Sequence, residues 1–149
     1  MAKIIGGKQL QPYLQGMADR LSKAKTVDVG FLEGATYPDG TSVPTVAALN
    51  EFGTSKAPPR PFFRTMIAAK QGEWGPASGH LLKANNYDAA KTLDQAGAAV
   101  AGQLRQSILT FDGAPLAPAT VKAKGFATPL IDTGHMSNSV DHRVNSGDE

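Results

Sequence analysis

A small single α+β domain spanning residues 1–149 is predicted, with a long central helix, an N-terminal amphipathic helix and a small antiparallel sheet. Three observations lead there. Between Asp88 and Phe111, the residues Leu93, Gly97, Val100, Leu104, Ile108 and Phe111 recur every three or four positions, the period of a helix face. From Lys8 to Lys25, Leu10, Leu14, Met17 and Leu21 recur in the same way. From Thr26 to Leu32 the period switches to two, with Val27, Val29 and Phe31 alternating against Thr26, Asp28 and Gly30, as in a half-buried strand.

The N-terminal helix is expected to begin near Gln9 to Gln11, because Pro12 lacks an N–H and is tolerated only in a first turn. After the strand, Glu33 to Val43 carries Gly34, Pro38 and the pair Asp39-Gly40, which supplies the positive φ of a tight turn; a partly extended loop, mobile in the free chain, is expected in preference to a hairpin tip. Ser42 is an N-cap candidate for a helix through Val46, Leu49 and Phe52 with Pro44 in its first turn, and Gly53 stands where a helix ends. Pro58, Pro59 and Pro61 bracket Arg60, so Ala57 to Arg60 should be a stiff, polyproline-like arm. Pro61 then opens a helix through Phe62, Phe63, Met66 and Ile67 that is expected to end near Gly72.

From Glu73 to Asn86 the glycines and Pro76 interrupt any regular pattern, and Asn85-Asn86 marks a turn. The alanine-rich stretch after Asp88 is the expected central helix, its small side chains allowing close approach of a neighbour. Thr120 to Lys124 should add a helical turn. Asp132 or Thr133 should cap a short helix carrying Met136 and Val140. His142 to Val144 is a candidate last strand pairing with Thr26 to Leu32, and the polar tail 145–149 is expected to be frayed and disordered.

Composition narrows the function classes. The chain has 41% hydrophobic and 19% charged residues, 16 glycines, 10 prolines, no cysteine and a formal net charge of +2. The charge is small and scattered, so no specific nucleic-acid partner is expected. Thiolate catalysis, disulfides and cysteine-type zinc sites are excluded. No apolar run approaches the roughly 18 residues of a membrane span, so a soluble, unprocessed chain without a membrane partner is expected.

Candidate chemistry is sparse. His80, His135 and His142 have no metal-ligand spacing, and Ser107, Ser137 and Ser139 lack the glycine context of a nucleophile elbow. Asp132-Thr133-Gly134 has the form of an aspartic-protease loop but occurs once, and that chemistry needs two such carboxylates. A hydrolase using Asp132 with His135 or His142 is the alternative reading, a nucleic-acid-binding module a further one; no catalytic residue, metal or cofactor is expected. Arg60 is different, since flanking prolines fix its position and its planar fork suits a carboxylate, either across an interface or at nearby Glu51. Phe62 and Phe63, adjacent on a helix, must point to different sides, so at least one is expected on a partner-facing surface.

Ala48-Leu49-Asn50-Glu51-Phe52-Gly53-Thr54, followed by Pro59-Arg60-Pro61-Phe62-Phe63-Arg64, resembles the Glu-Phe-Gly then Pro-x-Arg-Pro-Phe signature of tailed-bacteriophage neck and tail-completion proteins. Pro129-Leu130-Ile131-Asp132-Thr133-Gly134-His135-Met136, with Ser139-Val140 after it, is similar to a segment near the end of the same proteins. The resemblance implies a non-catalytic virion component of the head-tail junction or the top of the tail, usually a homo-oligomeric ring. Its implied partners are head-completion or connector proteins and tail terminator or tail tube proteins, with DNA passing through the ring. It also implies that Glu51, Phe52, Arg60, Pro61, Phe62 and Phe63, with Asp132 and Met136 from the second motif, hold the motif loop in place or contact the neighbouring subunit.

Overall fold

A computed structural model describes residues 7–113, 118–124, 130 and 134–147. The elements run α1 (Gly7–Ser22), β1 (Thr26–Phe31), α2 (Val43–Phe52), α3 (Phe62–Ala84), α4 (Ala89–Leu109), α5 (Pro118–Lys124), α6 (His135–Asn138) and β2 (Val140–Asn145). This is the expected α+β domain, with α4 at its centre: α3, β1, β2 and α6 all pack on it. Among the described residues no helix is long and apolar enough to cross a membrane.

The two strands form an antiparallel ribbon in which Thr26 faces Asn145 and Phe31 faces Val140. Asn145 is thus a strand residue rather than part of a frayed tail. Its side-chain amide donates to Thr26 and Asp28, and its carbonyl accepts from Lys25. Val140, expected on the preceding helix, instead opens β2, because α6 is only one turn long. The ribbon lies against α4 at Gly97, where a Cβ would stand 2.6 Å from Val27 Cγ2 and 2.7 Å from His142 Cδ2. Only a glycine lets the sheet approach the helix so closely. His142 then reaches past it to donate from Nε2 to Asp94 Oδ1 at 2.8 Å, tying β2 to α4.

The core gathers Val43, Ala47, Phe62, Met66, Ala101, Leu104, Ile108, Leu130, Met136 and Val140. Four helices and β2 therefore contribute to one apolar cluster. Asp88 caps α4 by accepting from the Lys91 N–H at 3.0 Å, which satisfies one of the free donors of the first turn.

The largest departure from expectation is α3. It does not stop near Gly72 but runs 23 residues, through Gly72, Gly75, Pro76 and Gly79. Tertiary packing overrides the local sequence: half-buried Trp74 packs on the core and its Nε1 donates to Gln103 Oε1 on α4 at 2.8 Å, and Asn85 beyond the helix end donates to Thr92 and Gln95. Asn86 and Tyr87, at φ 54° and 61°, turn the chain back into α4. Nothing lies within 4 Å of a Cβ placed at Gly79, which is exposed and has no proline after it. Gly79→Ala is therefore expected to stabilise the fold by about 1 kcal/mol, the difference in helix propensity. A midpoint rise of roughly 2–4 °C in thermal unfolding would register it.

Two further expectations are corrected. α1 begins by Gly7, so Pro12 lies inside the helix and not in its first turn; Leu10, Leu14 and Leu21 on its apolar face are exposed. The segment between β1 and α2 is a tight hairpin and not an open loop. Tyr37 N–H donates to Thr41 O, Gly40 N–H to Tyr37 O and Val43 N–H to Ala35 O, with Thr36 bridged to Ser42. The Thr41 backbone N–H also donates to Asp39, holding that carboxyl below its ordinary value. His135 on α6 contacts the hairpin, its Nε2 2.7 Å from Thr36 O and its ring tilted over Tyr37.

Candidate functional site: the clasp between α2 and α3

Helix α2 starts as its sequence dictates. Ser42 accepts from the Thr45 N–H through its hydroxyl, Pro44 occupies the first turn, and the helix stops at Gly53, whose N–H donates to Leu49 O. Gly53 adopts φ 76°, ψ 179°, a region essentially reserved for glycine, which swings the chain out of the helix. Thr54 and Ala57 then close a small turn, Thr54 N–H donating to Ala57 O at 2.9 Å and the Thr54 hydroxyl accepting from Lys56 and Ala57.

The proline arm does not project outward. Arg60 N–H donates to Asn50 O at 2.7 Å, so the arm is laid back along α2, and Arg60 itself is buried, 8% exposed. Pro61, at φ −78° and ψ 68°, sits at the centre of an inverse γ-turn closed by Phe62 N–H donating to Arg60 O at 2.8 Å. This turn aims the chain into α3.

A helix preceded by proline has no side chain to cap it, and α3 takes its cap from another element. The Glu51 carboxylate, at the end of α2 and buried, accepts from the Phe63 N–H at 2.9 Å and the Arg64 N–H at 3.2 Å. Negative charge at this position also complements the positive end of the α3 dipole. Arg64 closes the clasp: its Nε lies 3.2 Å from Glu51 Oε1, its Nη2 donates to Glu51 O at 2.9 Å, and its guanidinium lies over the Phe52 ring. The basic partner of the Glu51 carboxylate is thus Arg64, where the sequence offered Glu51 as one of two places for the Arg60 fork. Ser107 on α4 donates its hydroxyl to Phe62 O, fixing the first turn of α3 from the far side.

The first motif is therefore one connected device, and its residues divide by burial. Glu51, Arg60 and Phe62 are buried within the chain; Phe62 is 1% exposed and meets Phe31 edge-on at 6.3 Å. Pro61 and Phe63 are half-buried, and Phe52 is 68% exposed. In the single subunit the outward-facing aromatic is thus Phe52. From the second motif, Met136 is buried and joins Leu130 and Phe62 in the same core cluster, so both motifs converge on one core. Asp132 lies outside the described residues. Arg64 was missed as a functional residue from sequence; the signal available was a base three residues into a helix that follows a carboxylate at the end of another.

Beside the clasp, Phe31, Pro44, Ala47, Ala48, Phe52, Phe62, Phe63 and Ile67, with Glu51 and Arg64 at its polar edge, line an open apolar groove of about 370 Å³. Among the described residues no group of three or more histidines and carboxylates is placed to hold a metal ion. No protein-family model matches the chain, and no curated protein or solved structure matches it either.

Proposed function

We propose that this chain is a structural virion subunit of a tailed bacteriophage, acting at the head-tail junction or the top of the tail as part of a homo-oligomeric ring. The observation that carries the reading is the clasp. The residues that resemble the neck and tail-completion signature are those that lock α2 to α3 through Glu51, Gly53, Arg60 and Pro61, while Phe52 and Leu49 beside them remain exposed. A rigid, hydrogen-bonded elbow next to an apolar groove suits a subunit that works by shape and interface burial, without catalytic chemistry. Its partners on this reading are connector or head-completion proteins on one side and tail terminator or tail tube proteins on the other. DNA passes through the ring without sequence-specific contact, and the assembled protein resides in the virion.

The test is incubation of the purified protein with phage tails and with portal-bearing heads, read by electron microscopy and by native mass measurement. Rings, or density added at the neck or tail top, are the expected result. Binding to neither structure overturns the proposal.

A further inference from the structure

The chain contains two Asp-Gly pairs, Asp39-Gly40 and Asp112-Gly113, and both are exposed. At such a pair a peptide chain most readily rearranges its own backbone. The main-chain nitrogen of the glycine attacks the Asp side-chain Cγ, a C–N bond forms, and water leaves as a five-membered succinimide closes. Water then opens the ring at either carbonyl. Opening at the main-chain carbonyl leaves an isoaspartate, in which the chain runs through the side-chain carbon and is one methylene longer. No atom is gained or lost overall, and no oxidant or reductant takes part. Glycine favours the step because it has no Cβ to block the approach and its backbone turns freely.

The fold treats the two pairs differently. At the hairpin tip both reacting groups are engaged: Gly40 N–H donates to Tyr37 O and the Asp39 carboxylate accepts from the Thr41 N–H, each at 2.9 Å. Ring closure there has to break both bonds. The Thr41 contact also holds the Asp39 carboxyl below its ordinary value, which depletes the neutral acid that can lose water. Asp112, by contrast, lies just past Thr110, the C-cap of α4. Among the described residues no hydrogen bond or ion pair engages its carboxylate or the Gly113 N–H. Gly113 packs on the Phe111 ring, which a Cβ there would strike, and that apolar contact leaves both reacting groups unbonded.

We infer that Asp112-Gly113 is a site of spontaneous isoaspartate formation in the folded protein, while the hairpin shields Asp39-Gly40 from the same reaction. The inference is independent of the virion reading. Its consequence falls beside the clasp: Asp112 and Gly113 line an open cleft with Pro61, Thr65 and Ser107, so the added methylene enters the chain next to the first turn of α3, where Ser107 holds Phe62 O. Two hydrogen bonds must open at the hairpin tip and none among the described residues at Asp112, which corresponds to a rate difference of at least about tenfold.

The test incubates the wild-type protein near neutral pH for several weeks, folded and in guanidinium chloride, and then digests it with trypsin. Asp39 falls in fragment 26–56 and Asp112 in fragment 106–122, so the two sites are read separately. Isoaspartate has the mass of aspartate; it is read by the shifted retention of the fragment and by methyl transfer from S-adenosylmethionine with an isoaspartyl methyltransferase, and located by backbone fragmentation. In the folded protein Asp112 is expected to isomerise at least about tenfold faster than Asp39, and in denaturant the two rates should converge. Equal rates in the folded protein, or a faster rate at Asp39, overturn the inference. A ratio that persists in denaturant also overturns it, because the difference would then belong to the local sequence and not to the fold. So does a rate at Asp112 that rises on unfolding as much as the rate at Asp39, since the fold would then shield both. Asp112→Glu, whose longer side chain must close a six-membered ring, is expected to abolish the signal in 106–122; a signal retained in that variant places the chemistry at another residue and overturns the assignment.

Discussion

Glu51→Ala is expected to destabilise the fold by about 3 kcal/mol, as the change leaves two N–H groups at the start of α3 without acceptors. Hydrogen bonds to a charged group contribute roughly 1.5–3 kcal/mol each but are not additive when they share one carboxylate, and the dipole of α3 adds about 0.3–1 kcal/mol. The Arg64 ion pair adds little, because the Arg64 side chain is 55% exposed and solvent screens it. For a domain of this size the sum corresponds to a fall of roughly 6–12 °C in the unfolding midpoint. Glu51→Gln keeps one acceptor oxygen and should recover about half of the loss, whereas Arg64→Ala should cost less than ~1 kcal/mol. If Glu51→Ala shifts denaturant midpoints no more than Arg64→Ala does, the capping role is wrong.

The clasp also shows how far the sequence reaches. Ser42, Pro44 and Gly53 were legible as the start and stop of α2 because caps are local, set by one side chain and the few residues after it. The pairing of β1 with β2, separated by most of the chain, was legible because each strand carries its own alternation. Arg64 as the partner of Glu51 was not. Which of two nearby arginines pairs with Glu51 depends on the γ-turn at Pro61, which buries Arg60 against α2 and brings the first turn of α3 to Glu51. The continuity of α3 was hidden for a different reason. Gly72, Gly75, Pro76 and Gly79 all argue locally against a helix, and the opposing terms, Trp74 on Gln103 and the packing of α3 on α4, exist only in three dimensions. The stripe on α1 was seen without its surroundings: periodicity shows that a helix has an apolar face, not what covers that face.

Gly53→Ala is expected to cost about 3–5 kcal/mol. Two effects combine. The backbone at φ 76°, ψ 179° is strained by roughly 1–3 kcal/mol for any residue with a Cβ. In addition the new Cβ would lie 2.7 Å from Pro59 N, 2.9 Å from Ala57 O and 2.9 Å from Pro59 Cδ. Two of these three atoms belong to the backbone and the third to a proline ring, so no flexible side chain can yield, and overpacking of this kind adds about 1–3 kcal/mol. Gly34→Ala separates the terms, since Gly34 also has positive φ, +87°, but nothing within 4 Å of its Cβ, so it reports strain alone. Chemical denaturation should place Gly34→Ala roughly 1–3 kcal/mol below wild type and Gly53→Ala further below it. Relief of the clash requires the arm to lift from α2, which breaks the Arg60–Asn50 bond and unseats Glu51 from α3. Faster amide exchange at Arg60, Phe63 and Arg64 in Gly53→Ala, with α4 still protected, would show the clasp opening as a unit. Uniform acceleration across α3 and α4 would instead mean that the clasp and the core unfold together.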